Sequence, residues 1–327
     1  MPSLSDQDVN PRADHELELA ARHLIRAACT VRNIHDQVIC PALRSRLNRR
    51  KLQNMAQRSI TIMLAFLVAL HFVQPAGRAV EPRPAAVAGF DTYIARVEAC
   101  LATQHQAPSA FIAPADFARL RRGELVIEQI APPAGTSVPG AMLHHWRGTA
   151  FVPGASAADF DRLLRDFNAY PAHFAPQIVQ SRVLAQNGNH YQIKMRVRQH
   201  HVITVVLDTT YDVSFAALDP KHHFSASRSR EITEVDSPGT LGERELTAGQ
   251  EHGFLWRLNS YWSYEERDRG LAIQIESVSL TRSIPTGMAW MIRPFVESIP
   301  RESLEFTLRS ASDALRQQAN QIRRTEP

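Results

Sequence analysis

Between residues 178 and 281 apolar and polar positions alternate. In "HYQIKMRVR", Tyr191, Ile193, Met195 and Val197 fall on one side, and Gln192, Lys194, Arg196 and Arg198 on the other. A period of two is that of a pleated strand with one buried face. "VITVVLDTTYDVSF" repeats it, with Ile203, Val205, Leu207, Thr209, Tyr211, Val213 and Phe215 sharing a face. "QIVQSRVLAQ", "HHFSASRSREITEV", "FLWRLNSYWSYEE" and "LAIQIESVSLT" read as further strands. Asn187-Gly188 closes the first hairpin, and Arg267-Asp268-Arg269-Gly270 joins the last two strands. Strands separated by turns this short pair antiparallel.

On either side the period lengthens. Residues 88 to 122 read as helical, with a break at Pro108 and a second short helix after Pro114. "ELVIEQI" and "HHWRGTAFV" are strands on either side of the loop "APPAGTSVPG". Ser156, with Asp159 three residues on, has a capping-box pattern. Phe160, Leu163, Leu164 and Phe167 then form one helical stripe. Tyr170-Pro171 is expected to end that helix, because the residue before proline is pushed out of the helical region. Near the C-terminus "GMAWMIRPFVESI" predicts a short helix bent by Pro294. Pro300 is then expected to open a new helix of about twenty residues, striped by Leu304, Leu308, Ala311 and Leu315. The order of elements predicts an α+β fold, a curved antiparallel sheet covered by a long terminal helix. Curvature leaves room between sheet and helix, and that room is a ligand cavity unless large side chains fill it.

The aromatic run from Trp256 sharpens the question of what fills it. Even positions carry Trp256, Leu258, Ser260, Trp262 and Tyr264; odd positions carry Arg257, Asn259, Tyr261, Ser263 and Glu265. The even face is expected to meet the helix and the cavity, with the odd face polar. The plain reading of each aromatic is core packing. The sharper one is that Trp262 and Tyr264 line a pocket, with Trp256, Tyr211 and Met195. In "SASRSRE", alternation places Arg228 and Arg230 with Phe224, Ala226 and Ile232, facing inward. A buried arginine needs a partner, such as Glu276 or Asp212, or an anionic ligand group, and a bulge would return both to solvent. His173 lies in the loop "YPAHFAP". The pairs His144-His145, His200-His201 and His222-His223 do not chelate by themselves, since neighbours on a strand point to opposite faces. No metal and no cofactor is expected.

Residues 143 to 318 resemble the START-like, helix-grip superfamily, also called SRPBCC, polyketide cyclase/dehydrase-like or Bet v 1-like. The resemblance lies in "HHWRGTAFVPGASAADFDRLLRDFNAYPAHFAPQIVQSRVL", where a strand gives way to a helix, Tyr-Pro and a second strand. It continues through the strands to "SLTRSIPTGMAWMIRPFVESIPRESLEFTL". "GFLWRLNSYWSYEERDRGLAIQIESVSLTR" resembles a bacterial subgroup of exported proteins. The superfamily implies a hydrophobic cavity for lipids, sterols, quinones or polyketides, and His173 sits where its members often shape the cavity entrance. Some members are enzymes, but no catalytic motif of theirs matches this chain residue by residue.

Composition adds the cellular setting. The chain has 327 residues, 44% of them hydrophobic, enough for one large domain or two small ones. Its net charge of +4 is uneven. Residues 1 to 79 hold 11 Lys/Arg against 6 Asp/Glu, and the remainder 26 against 27. The body of the chain therefore lacks the basic footprint of a nucleic-acid binder. Ile60 to Val73 form an apolar run of signal-peptide length, preceded by Arg58 and followed by the small-x-small pattern Gly77-Arg78-Ala79. Translation from Met55 gives a normal signal peptide, with residues 1 to 54 an over-extended frame; the alternative is a cytoplasmic tail before an uncleaved anchor. Arg49-Arg50 resembles a twin-arginine signal but lies far from the apolar run. Cys29 and Cys40 precede that run, so a processed chain keeps Cys100 alone, expected as a buried thiol.

These readings divide the chain into 1–54, a signal or anchor at 55–79, a linker and small helical extension at 80–140, and a START-like domain at 141–320. They predict an exported, monomeric, periplasmic or envelope protein that binds or carries a hydrophobic small molecule or lipid. Residues 60–73 offer membrane association. No paired carboxylates and no Ser-His-Asp set appear, so binding leads over a cyclase or hydrolase using His173, Arg228 or Glu276. A third reading is a ligand-free envelope interaction domain.

Overall fold

The computed structural model describes residues 81–200, 204–247, 249–283 and 289–325, the last helix by its backbone with side chains from 298 to 318. The basic leader, both candidate start sites, the apolar run Ile60 to Val73, the cleavage pattern and Ile203 lie outside the described residues.

Helix α1 (Pro84–Gln104) opens with proline in its first turn, where the missing N–H has no helical partner to lose. Helix α2 is Phe117–Arg121. Strands β1 (Val126–Gln129) and β2 (Ala141–Pro153) follow, then α3 (Ala157–Arg165) and the short α4 (Tyr170–His173). The meander comprises β3 (Ile178–Asn187), β4 (His190–His200), β5 (Thr204–Asp219), β6 (His222–Asp236), the two-residue β7 (Arg244–Glu245), β8 (Arg257–Arg267) and β9 (Gly270–Arg282). Helix α5 (Ala289–Thr325) ends the described chain.

The capping box predicted at α3 is present. Ser156 Oγ accepts from Asp159 N at 3.2 Å, and Asp159 Oδ2 accepts from Ser156 N at 3.1 Å. Two helix boundaries differ from expectation. Tyr170-Pro171 begins α4 instead of ending α3, which stops at Arg165 before a single 3₁₀ turn. Proline at the start of a helix costs no hydrogen bond, so both placements are open to it. In the terminal helix the backbone runs unbroken for 37 residues through Pro294 and Pro300. Each proline removes one interior hydrogen bond. The stripe Leu304, Leu308, Ala311 and Leu315, all buried, holds the helix against the sheet beyond Pro300.

The nine strands form one sheet in the order β1-β2-β9-β8-β6-β5-β4-β3, with β7 added to β6, and every pairing is antiparallel. Helix α5 packs on one face against β1, β2 and β9, and touches α3 and α4. This is a helix-grip α+β arrangement, a curved antiparallel sheet with a long C-terminal helix packed on it. The main core lies on this inner face and joins Ile273, Ile275, Trp262, Tyr264, Tyr211 and Phe215 to Phe160, Leu163, Leu304 and Leu308.

The outer face is not left to solvent. Phe90, Tyr93, Ile94, Val97 and Leu101 of α1 pack on Tyr261, Val278 and Leu280. Phe111 and Leu120 pack on Phe151 and Ala272. Strands β8 and β9 are therefore buried on both faces, and the odd face of β8 is covered protein interior instead of a polar surface. Cys100 is exposed, not buried: it lies about 100° round α1 from Leu101, beyond the apolar stripe.

Candidate ligand-binding site on the inner face

Strand register carries inner-face residues across the sheet in rows, because directly paired residues point the same way. One row reads Gly148, Ile275, Trp262, Ser225 and Phe215 from β2 to β5. The next reads Trp146, Ser277, Ser260, Ser227, Val213 and Tyr191. Beyond it stand His144, Ser279 and Leu258. The ladder between β6 and β8 then ends at Arg228 opposite Asn259, and Ser229 Oγ spans the parting by accepting from Leu258 N at 3.0 Å.

Helix α5 bridges the sheet above these rows. A Cβ on Gly148 would lie 2.7 Å from Leu304 Cδ2 and 3.1 Å from Leu308 Cδ2, so the helix seats directly on β2. On the far side Gln199 Nε2 of β4 donates to Ser303 Oγ at 3.2 Å. Two walls thus reach the helix while the strands between them form a floor.

That floor changes character along its length. Toward α3 it is packed solid. Phe160 meets the Trp262 and Tyr264 rings edge-on, at 5.1 and 4.9 Å between centroids. Tyr264 is wholly buried and Trp262 is 8% exposed. One row on, the large side chains stop. Ser227, Ser260 and Ser277 face inward on three adjacent strands, remain half-buried, and their hydroxyls bond no protein group among the described residues. Trp146, Leu258, Met195 and Tyr191 around them are also half-buried. This stretch of the inner face, half-buried serines flanked by half-buried apolar side chains, is the candidate ligand trough. Trp146 Nε1 and, on β3, Ser181 Oγ are shut from solvent without a hydrogen-bond partner.

The residues singled out from sequence separate into three groups. Tyr211, Trp262 and Tyr264 enter the inner core, and Met195 packs on it half-buried. His173 ends α4 and is half-buried. The remaining three face away from the trough. Trp256 breaks the alternation before β8 begins and joins the α1 cluster, its ring lying over Gly253. Arg228 and Arg230 also point outward, with side chains 45% and 58% exposed. Arg228 Nε donates to Glu98 Oε1 of α1 at 2.6 Å, and Arg230 Nε lies 3.0 Å from Asp212 Oδ2. The expected phase followed Phe224 and Ala226, but these pack on the outer side. The inner phase of β6 is carried by Ser225, Ser227 and Ser229. A bulge does fall at Arg230, between the pairs Tyr211–Ser229 and Thr210–Glu231.

Sequence reading missed the serines and a buried relay on the outer face. Tyr93 OH lies 2.8 Å from His145 Nδ1, and His145 Nε2 lies 2.8 Å from Glu276 Oε2. Arg147 Nε donates to Glu276 Oε1 at 2.8 Å, and its Nη1 to Glu128 at 3.1 Å. Burial, with the nearby Glu276 charge, raises the Tyr93 hydroxyl above its ordinary value. Burial opposes ionisation of Glu276, but the His145 hydrogen bond and the Arg147 charge outweigh it and hold the carboxyl low. His105, lowered to about 4 chiefly by burial, sits 2.7 Å from Ser263 Oγ. These groups have the composition of an acid–base site, yet they lie closed beneath α1 and satisfy one another. They fasten the helix to the sheet. A separate groove of about 550 Å³ opens against α1 between Pro84, Val87, Asp91, Glu251, Trp256 and Arg257. It lies apart from the space beneath α5.

No family model matches the chain, and no curated protein does. Among solved structures, the STAR-related lipid transfer protein from Xanthomonas axonopodis is 20% identical, over 58% of this chain and 98% of that one, with a TM-score of 0.38. The Zhui aromatase/cyclase from Streptomyces is 14% identical over 53% of this chain and 94% of its own, TM-score 0.38. Human STARD10 is 10% identical over 61% and 81%, TM-score 0.36. These likenesses carry no functional argument. The fold assignment stands on the chain's own strand order, register and terminal helix.

Proposed function

We propose that the protein binds and carries an apolar small molecule in the trough beneath α5. One observation carries this reading: mid-sheet residues on the inner face, Ser227, Ser260, Ser277 and Leu258, keep accessible surface although α5 meets the sheet on either side of them, at Gly148 and Gln199. A protein interior without a ligand site is normally filled to crystal-like density. The apolar residues Met195, Tyr191 and Leu258 suit a hydrocarbon body. The relay under α1 is closed, which favours binding over chemistry. The basic leader and the apolar run Ile60 to Val73 support a setting in the cell envelope.

Two measurements test the proposal. Native mass spectrometry of protein purified from its own cells should show one bound small molecule, released on denaturation. Ser260→Trp, which fills the floor, should abolish that adduct while the chain stays folded. An adduct-free spectrum for the wild type, or an adduct indifferent to Ser260→Trp, would remove the trough as the site.

A further inference from the structure

Strands β6 and β8 stop pairing at Arg228 and Asn259, and the groove of about 550 Å³ opens beyond that parting. Ile232 of β6, Trp256 and Arg257 at the head of β8, and Pro84, Val87 and Asp91 of α1 form its walls. None of them belongs to the inner core that borders the trough, so what the groove holds is independent of what the trough holds. The groove's charge is one-sided: Glu81, Asp91 and Glu251 line it against a single cation, Arg257. Elsewhere the protein pairs its enclosed carboxylates. Glu276 meets Arg147, Asp208 meets Arg196 and Glu234 meets His252. Half-buried Glu251 departs from that habit. Its Oε1 accepts from Glu234 N at 3.2 Å, and among the described residues no cation pairs with it. Arg257 shares the groove but turns its Nη1 to the Trp256 carbonyl, at 2.9 Å. Burial, with the charges of Glu234, Glu81 and Glu231, raises the Glu251 carboxyl above its ordinary value, although the Glu234 N–H opposes the shift. A half-buried carboxylate among other carboxylates is unfavourable until something positive joins it.

We infer that this groove is a ligand site separate from the trough, and that it takes an organic ammonium. Glu251 accepts from the ammonium N–H, a charge-assisted hydrogen bond, with Asp91 and Glu81 adding to the field. Pro84, Val87 and Ile232 meet the apolar part of the molecule. Arg257 and the N-terminus of α1 at Pro84 favour an anion, but three carboxylates outweigh them.

The test uses three small molecules of similar shape, phenethylamine, 2-phenylethanol and 3-phenylpropanoate, whose heads are positive, neutral and negative at neutral pH. Equilibrium dialysis against the full chain compares them. The wild type should bind phenethylamine about tenfold more tightly than phenylethanol, the effect of one hydrogen bond between charged groups, and the propanoate least. Glu251→Gln keeps the side chain's shape and its bond from Glu234 N, and should cut the preference to about twofold. Its urea midpoint should equal or exceed that of the wild type, because a carboxyl raised in the fold costs stability once ionised. Asp91→Asn, exposed on α1, should lower the preference by a smaller factor and carries the test if Glu251→Gln does not fold. Asp313→Asn, which removes one exposed negative charge from α5, should leave it unchanged. Failure of phenethylamine to bind, tighter binding of phenylethanol or the propanoate, a preference indifferent to Glu251→Gln, or one weakened as much by Asp313→Asn overturns the groove as an ammonium site. None of these results bears on the trough, which the native mass spectrum and Ser260→Trp test by themselves.

Discussion

Gly148→Ala tests how closely α5 grips the sheet. The added methyl would lie 2.7 Å from Leu304 Cδ2 and 3.1 Å from Leu308 Cδ2. Carbon pairs settle at about 3.5–4.0 Å, so the contact must open by about 1 Å. Leu304 is 3% exposed and Leu308 is wholly buried, so neither has free space to enter. The helix moves off β2, or a leucine leaves its rotamer. Overpacking of this kind costs about 1–3 kcal/mol. Removing a mid-strand glycine returns about 0.5–1 kcal/mol of chain entropy. The net is a loss of roughly 1 kcal/mol and at most about 2.5, read as a lower urea midpoint at unchanged slope. Gly242→Ala is the matched control: its Cβ meets only Thr240 Oγ1, at 3.7 Å, and the change should be neutral or stabilising. If Gly148→Ala behaves like the control, α5 does not seat on β2 and the roof of the trough is misplaced.

Other consequences are open to the same assay. Tyr93→Phe strips the hydroxyl from His145 Nδ1 inside the closed relay and should cost about 1–3 kcal/mol, with faster hydrogen exchange in α1. Arg196 holds the buried Asp208 through two hydrogen bonds of 2.7 and 2.8 Å, so Arg196→Ala should cost about 3 kcal/mol, whereas an exposed pair such as Arg316–Asp313 should be worth little. Glu234 accepts from the backbone N–H of His252, Gly253 and Phe254 and from the His252 ring. Burial opposes its ionisation, but these bonds hold its carboxyl below the ordinary 4.5, while Glu234 lifts His252 above 6.5; Glu251, Asp236 and Arg282 also face the pair. The lowered Glu234 contributes above about pH 4.5 and fails as pH falls through its folded value. The raised His252 contributes below about pH 6.5 and fails as pH rises through its own. The stability difference between wild type and His252→Ala should therefore be greatest between these limits and shrink on both sides.

The architecture was legible because period-two strands and a striped terminal helix are local patterns. Tyr191, Ile193, Met195 and Val197 fell on the face that alternation assigns, and Ser156 with Asp159 capped α3 as its spacing requires. The helix breaks were less legible, since proline suits both an interrupted helix and a helix start, and burial beyond Pro300 decides between them. The site was legible only in part. Strand phase was inferred from the largest apolar residues, which works when one face is wet. Here α1 covers the outer face, so Phe224 and Ala226 are apolar on the wrong side for that rule and carried Arg228 and Arg230 inward on paper. The signal that finds the trough was present: serines at every second position in "SASRS", and again in "ESVS". It became readable only when register lined them up on neighbouring strands. The relay of Tyr93, His145 and Glu276 joins residues 52 and 131 positions apart, and nothing local announces it.

A crystallographic density map of the protein isolated with its native ligand tests the trough most directly. The account predicts one continuous, non-protein density beneath α5, lying against Ser227, Ser260 or Ser277. Protein side chains packed down onto those three serines, leaving no room above them, would contradict it.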